Sequence, residues 1–263
     1  MIHYPQIDPV ALSIGPISIY WYGLTYVGGL IFAWWLGKQR AQLAQSPVSE
    51  EQIDDLIFYA ALGIVAGGRV GYALFYGAGS LWDDPLRVFR LWEGGMAFHG
   101  GFLGVVIAMW LFSRHQKIEF GALVDFIAPL APVGLALGRI GNFINQELWG
   151  RPADVPWAMV FPADPLGLAR HPSQLYQFAM EGVLLFFVLL WYTRTPRPRW
   201  SAAGLFLLGY GLFRSLAEFF RAPDAHIGFD ALGWMTRGQL LSLPMIAVGA
   251  AIIIWAYRRD AKK

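Results

Sequence analysis

Residues Ala202–Arg221 read AAGLFLLGYGLFRSLAEFFR. Such a run is long enough to cross a hydrocarbon core of roughly 30 Å as a helix, yet it carries Arg214 and Glu218 within it. Tyr210, Arg214, Glu218 and Arg221 stand at offsets of 0, 4, 8 and 11, which is one helical face. One apolar span with a charged stripe therefore implies a membrane protein whose interior does something with charge.

The rest of the chain agrees. Its 263 residues are 56% hydrophobic and only 14% charged, with mean hydropathy +0.45, against roughly 25% charged residues in soluble domains. Six further apolar stretches are expected to be helical, from about Ile17 to Gly37, Ile53 to Tyr76, Ala97 to Phe112, Gly121 to Phe143, Ser173 to Tyr192 and Gly238 to Tyr257. Together with Ala202 to Phe220 they make an all-α, polytopic protein of about seven transmembrane helices, read as one integral membrane domain over residues 1–263. Residues Met1 to Tyr20 lack a basic region before the first apolar run and hold Pro5, Pro9 and Pro16, so no cleavable signal peptide is expected.

Lysine and arginine set the orientation. Lys38, Arg40, Arg114, Lys117, Arg194, Arg197, Arg199, Arg258, Arg259, Lys262 and Lys263, eleven of the twenty, follow alternate helices. That face is expected to be cytoplasmic, with the N-terminus outside and the C-terminus inside. The opposite face then holds Gly77 to Met96, a stretch around Pro223 to Thr236, and residues 144–172, which could form a small outer head. The net charge of +2 and the scattered basic residues argue against nucleic acid. With no cysteine, any thiol chemistry must use a partner's thiol.

Arg69, Arg139 and Arg214 all fall inside expected spans. An arginine at a helix centre costs about 2.5–3.5 kcal/mol on insertion scales, so each must be paired, hydrated or facing an anion. Glu218 can pair with Arg214 at i+4, and a purely structural ion pair is one reading of the stripe. One carboxylate cannot neutralise three guanidiniums. Arg139 and Asn142 share a face in Gly138-Arg139-Ile140-Gly141-Asn142-Phe143-Ile144-Asn145-Gln146-Glu147, and a guanidinium fork matches phosphate oxygens. His99 opens the third helix, where an imidazole can take a proton near neutral pH. Gly63, Gly67 and Gly71, Gly100 and Gly104, and Gly134 and Gly138 recur at four-residue spacing and read as helix packing.

Residues 138–150, ending Glu147-Leu148-Trp149-Gly150, resemble the signature of the prolipoprotein diacylglyceryl transferases at every fixed position. Further likeness lies in Trp21-Tyr22-Gly23, Gly68-Arg69-Val70-Gly71, His99-Gly100-Gly101, Arg170-His171-Pro172-Ser173-Gln174-Leu175-Tyr176 and the stretch from Gly209 to Arg221. The resemblance implies a seven-helix enzyme of the bacterial inner membrane, open laterally to lipid. Its substrates would be phosphatidylglycerol and a prolipoprotein signal peptide with its lipobox cysteine, with glycerol phosphate released and no metal or organic cofactor used. It further implies that Arg139 and Arg214 contact the phosphate, with Tyr22, His99, Asn142, Glu147, Gly150, Tyr210 and Glu218 around them and Arg69 contributing to lipid binding. His99 is the candidate general base. Alternatively the arginine field suffices without a base, or the phosphate itself takes the thiol proton.

Overall fold

The computed structural model describes residues 2–75, 84–90, 94–223, 228–230 and 232–262. The expected outer stretches at 77–83, 91–93 and 224–227, and Tyr76 at the end of the second helix, lie outside them. The protein is mostly helical and falls into two units, one formed by Trp34–Val124 and the other by Met1–Ala33 with Asp125–Lys263.

In the smaller unit, α2 (Glu50–Phe75) packs against α3 (Phe98–His115). Glu50 and Glu51 sit in the first turn of α2, where the helix dipole favours negative charge. Ser49 and Gln52 cap that turn reciprocally. The spacing of Gly63, Gly67, Gly71, Gly100 and Gly104 is explained here: a methyl on Gly71 would stand 2.7 Å from the Cα of Gly100, so the two backbones approach as only small residues permit, whereas a methyl on Gly138 would meet nothing within 4 Å.

The larger unit starts with strand β1 (Ile2–His3) and a hairpin of β2 (Val10–Ile14) and β3 (Ile17–Tyr20). Helix α1 (Trp21–Ala41) follows directly and runs on into the smaller unit. The expected helical start at Ile17 is therefore a strand. Ile14 pairs with Ile17 across Gly15 and Pro16, and Gly15 takes φ 57°, the first central position of a tight two-residue hairpin turn. Pro16 supplies no N–H and the alternation Ile-Ser-Ile-Tyr suits a strand.

The expected fourth span is two helices, α4 (Phe120–Ile127) and α5 (Ala131–Ile144), bent by 45°. Pro129 and Pro132 lie at the break, and each removes a helical hydrogen bond and clashes with the preceding turn. Helix α6 (Ser173–Tyr192) is continuous but widens into a π-helical segment over Phe178–Leu184. Helix α7 (Ser201–Glu218) is capped by Asp125 of α4, whose carboxylate accepts from the backbone N–H groups of Trp200 (2.5 Å) and Ala203 (2.8 Å). Helix α8 (Arg237–Asp260) starts with a capping box between Thr236 and Gln239.

Between α5 and α6, β4 (Met159–Val160) and β5 (Ala169–Arg170) join β1 in a three-stranded sheet. Tyr4, Met159 and Phe161 are buried beneath it against Phe143 and Trp149. Asp164 receives Nε of Arg170 at 2.7 Å and Nη2 at 3.1 Å, plus the N–H groups of Leu166 and Leu168. The Arg170 hydrogen bonds hold its carboxyl below the usual carboxylate range.

All seven stretches expected to be helical carry helix, and α2, α6 and α8 are long and apolar enough to cross a membrane by length and composition, with α4 and α5 together a fourth. Phe58, Leu74, Phe187, Trp191, Val248 and Ile254 on these helices stay largely exposed. So much uncovered apolar surface suits lipid, not water.

Candidate active site

The face expected on α7 is present. Glu218, 2% exposed, receives Nη2 of Arg214 at 2.7 Å and Nη1 of Arg221 at 3.0 Å on Oε1, and the hydroxyl of Thr236 at 2.6 Å on Oε2. Gly238, opposite on α8, makes this approach feasible: a methyl there would lie 2.6 Å from Cδ of Glu218.

Arg139 comes from α5 and Glu181 from the π-helical segment of α6. Arg139 donates from Nη2 to Oε2 of Glu181 at 2.9 Å, while Nη1 of Arg214 stands 3.6 Å from the other carboxylate oxygen. Glu181 is fully buried, and Tyr210 borders both Arg139 and Arg214. Sequence reasoning missed Glu181. The signal was available, since Glu181 is the lone acid in the apolar run from Ser173 to Tyr192, and an unpaired carboxylate there is as costly as an unpaired arginine. Gly182 next to it lets α6 close on Ala136 of α5, which brings the carboxylate to Arg139.

Among the described residues, the guanidiniums of Arg139, Arg214 and Arg221 thus face the carboxylates of Glu181 and Glu218. The ion pairs expected of a structural cluster are real, and Nη1 of Arg214 still lacks a hydrogen-bond partner among the described residues.

The signature segment adds neutral donors beside the cluster. Asn142, buried, donates to Oε1 of Glu147 at 2.8 Å, and Tyr22 of α1 borders both. Gln146 and Leu148 take φ of 54° and 59°, a left-handed conformation that non-glycine residues rarely hold without support. Support comes from the start of α6, where Gln174 donates to the Glu147 carbonyl (2.7 Å) and Ser173 to that of Leu148 (2.8 Å). Gly150 is wedged between backbones: a methyl would stand 2.6 Å from the Phe220 carbonyl oxygen. Its N–H donates to the His171 carbonyl at 2.8 Å. Geometry alone thus requires glycine there.

Tyr22, Arg139, Asn142, Glu147, Gly150, Tyr210, Arg214 and Glu218 therefore all lie in the larger unit. Arg69 and His99 belong to the smaller one. Arg69 is 4% exposed and spends its guanidinium on backbone carbonyls, with Nε to Val88 at 3.1 Å, Nη1 to Gly94 and to Gly95 at 3.0 Å, and Nη2 to Arg90 at 2.7 Å. That geometry ties the segment before α3 to α2. His99 is exposed in the first turn of α3.

Comparison with known proteins bears on this arrangement. The family profile described as prolipoprotein diacylglyceryl transferase matches residues 9–255. A phosphatidylglycerol–prolipoprotein diacylglyceryl transferase of Azotobacter vinelandii is 55% identical, over 100% of this chain and 99% of its own length. Those of Teredinibacter turnerae and Pseudomonas syringae pv. syringae are each 56% identical, over 99% of this chain and 94% and 97% of their own lengths. Over its whole length, then, this chain belongs to the prolipoprotein diacylglyceryl transferase family.

Proposed function

We propose that the cluster of Arg139, Arg214 and Arg221 with Glu181 and Glu218 is where this transferase holds the phosphate of its lipid donor. The reaction is transfer of the diacylglyceryl group of phosphatidylglycerol to the lipobox cysteine of a prolipoprotein, the first step of lipoprotein maturation. The convergence of Arg139 and Arg214 on the one carboxylate of Glu181, with Nη1 of Arg214 lacking a hydrogen-bond partner among the described residues, carries this reading, because phosphatidylglycerol brings one negative charge on its phosphodiester.

In the transfer, the cysteine sulfur attacks the glyceryl carbon that bears the phosphate ester. A carbon–sulfur bond forms, the carbon–oxygen bond breaks, and glycerol phosphate leaves with the bonding pair. Arg139 and Arg214 stabilise the charge gathering on the leaving oxygen, as fixed donors do where water is scarce. They also favour thiolate over thiol, whose ordinary pKa is about 8.5. Tyr22, Asn142, Glu147, Gly150 and Tyr210 shape the head-group site, Glu218 positions Arg214, and Arg69 contributes by fixing the segment before His99. His99 takes the thiol proton. The acceptor is a signal-peptide helix, membrane lipid surrounds the protein, and no cofactor takes part.

Seven helices span the bacterial inner membrane in this reading, with the N-terminus periplasmic, the C-terminus cytoplasmic, and residues 144–172 in a small periplasmic head on the single membrane domain 1–263. The alternation of basic residues supports this orientation, and the exposed apolar helix faces support the spans.

The test mixes purified protein with phosphatidylglycerol and a synthetic lipobox peptide and follows peptide mass and glycerol phosphate. A diacylglyceryl mass gain with matched release is expected, and none when the peptide's cysteine is serine. Glycerol phosphate release without a thioether would refute it.

A further inference from the structure

Gln174, Gln177 and Glu181 stand on one face of α6 at offsets of three and seven residues, and all three are fully buried. The outer two are engaged, Gln174 with the Glu147 carbonyl and Glu181 with Arg139. Gln177 differs. Among the described residues, neither its Oε1 nor its Nε2 finds a hydrogen-bond partner. Buried polar groups are almost always paired, and an orphaned amide is destabilising. Nor is packing a sufficient reason for it, since methionine would fill similar space without an unpaired atom.

Its position narrows what it meets. Gln177 immediately precedes the π-helical segment that carries Glu181, and such widened turns recur at functional sites. One turn further on, Oε1 of Glu181 and Nη1 of Arg214 face each other without a hydrogen bond. The amide therefore adjoins the charged cluster along its own helix.

We propose that Gln177 reads the hydroxylated head group of the donor. A primary amide offers one acceptor beside one donor pair. A vicinal diol matches it, with one hydroxyl donating to Oε1 and another accepting from Nε2, while the guanidiniums hold the adjoining phosphate. A bare phosphate monoester offers mainly acceptors. A quaternary ammonium offers no donor, and any cationic head group is opposed by the guanidiniums of Arg139 and Arg214. Gln177 is thus a specificity residue for a phosphoglycerol, and this rests on the donor-site reading above.

The test uses full-length protein in detergent, with lipobox peptide and phosphatidylglycerol, and compares inhibition by glycerol phosphate and by propyl phosphate, which lacks the hydroxyls. In the wild type, glycerol phosphate should inhibit roughly tenfold more tightly, because a site built to pair a hydroxyl rejects the analogue without it. Gln177→Met should lose that preference, leave propyl phosphate inhibition unchanged, lower kcat/KM for phosphatidylglycerol about tenfold, and melt no lower than wild type without lipid. Gln177→Glu keeps the acceptor but loses the donor and adds a negative charge, so it should weaken both inhibitors and retain only part of the preference. A structural glutamine predicts the opposite pattern: a lower melting temperature in Gln177→Met with the inhibitor ratio intact, which would overturn the proposal. If Gln177→Met does not fold, the wild-type ratio decides, and equal inhibition by the two phosphates refutes it. Failure of the wild type to lipidate the peptide would instead bring down the donor-site reading, and this one with it.

Discussion

Replacing Glu181 with glutamine removes the carboxylate that Arg139 and Arg214 share and makes the cluster more positive by one charge. At an effective dielectric of about 20, unit charges at the observed 2.9 and 3.6 Å attract by about 6 and 5 kcal/mol. Desolvation of the buried ions offsets several kcal/mol of that per ion, and the net cost of removing one partner from a buried pair is about 3–5 kcal/mol. For a chain of this size, roughly 2–4 °C per kcal/mol gives a drop of about 6–20 °C in the melting temperature of Glu181→Gln. Turnover should fall at least tenfold as Arg139 loses the contact that aims it. Arg139→Met with Glu181→Gln restores the charge balance, so it should recover much of the lost stability while remaining inactive. Differential scanning fluorimetry in detergent and peptide lipidation measure the two effects. Wild-type melting and turnover in Glu181→Gln would refute the coupling, and an active double variant would reduce the cluster to a structural brace.

Arg139→Ala and Arg214→Ala should each abolish lipidation; since a lost charge contact of about 1.5–3 kcal/mol costs roughly tenfold or more, a variant keeping above about a tenth of wild-type turnover would contradict an essential role. His99→Gln should still bind phosphatidylglycerol yet lose most turnover, and unchanged turnover would reject it as base. Gly238→Ala drives a methyl into a carboxylate pinned by Arg214, Arg221 and Thr236; overpacking of this kind costs about 1–3 kcal/mol, and lipidation should fall with stability, whereas normal activity would show that Glu218 can shift freely. Asp164 has a folded pKa below its unfolded value of about 3.9, so its contribution is present above that pH and fades as pH falls through the folded pKa; the melting temperature of Asp164→Asn should lie below wild type at pH 6 and converge with it in acid, and a pH-independent gap would remove the Arg170 pair as cause. Because the chain has no cysteine, single cysteines at Gln39 and Ala163 should react with an impermeant thiol reagent from opposite sides of sealed vesicles; labelling from the same side would overturn the orientation.

The sequence made the helices legible because a bilayer demands long apolar runs, and it made Arg139 and Arg214 conspicuous because charge is costly there. It hid what depends on chain direction inside those runs. Pro129 and Pro132 look tolerable within one span but bend α4 from α5 by 45°. Ile17–Tyr20 is apolar enough to extend a helix, yet the Gly15-Pro16 turn pairs it with Val10–Ile14. The short strand pairings of β1 with β4 join residues far apart in the chain, and two-residue strands leave no periodicity to detect.

Charge pairing explains the partial legibility of the site. Glu218 declared itself through i+4 spacing to Arg214, a relation within one helix. Glu181 pairs with Arg139 across 42 positions and two helices, so only the cost of an isolated buried acid could have pointed to it. Once it is counted, Arg139 and Arg214 cease to be unexplained cations: each meets a buried carboxylate, which lets them stay charged between packed helices. Guanidiniums with no carboxylate beside them would resist burial and, at a phosphate site, would retain the departing phosphate. Carboxylates that share the same N–H groups would compete with that product, so in the proposed site the pairs that permit burial would also ease release.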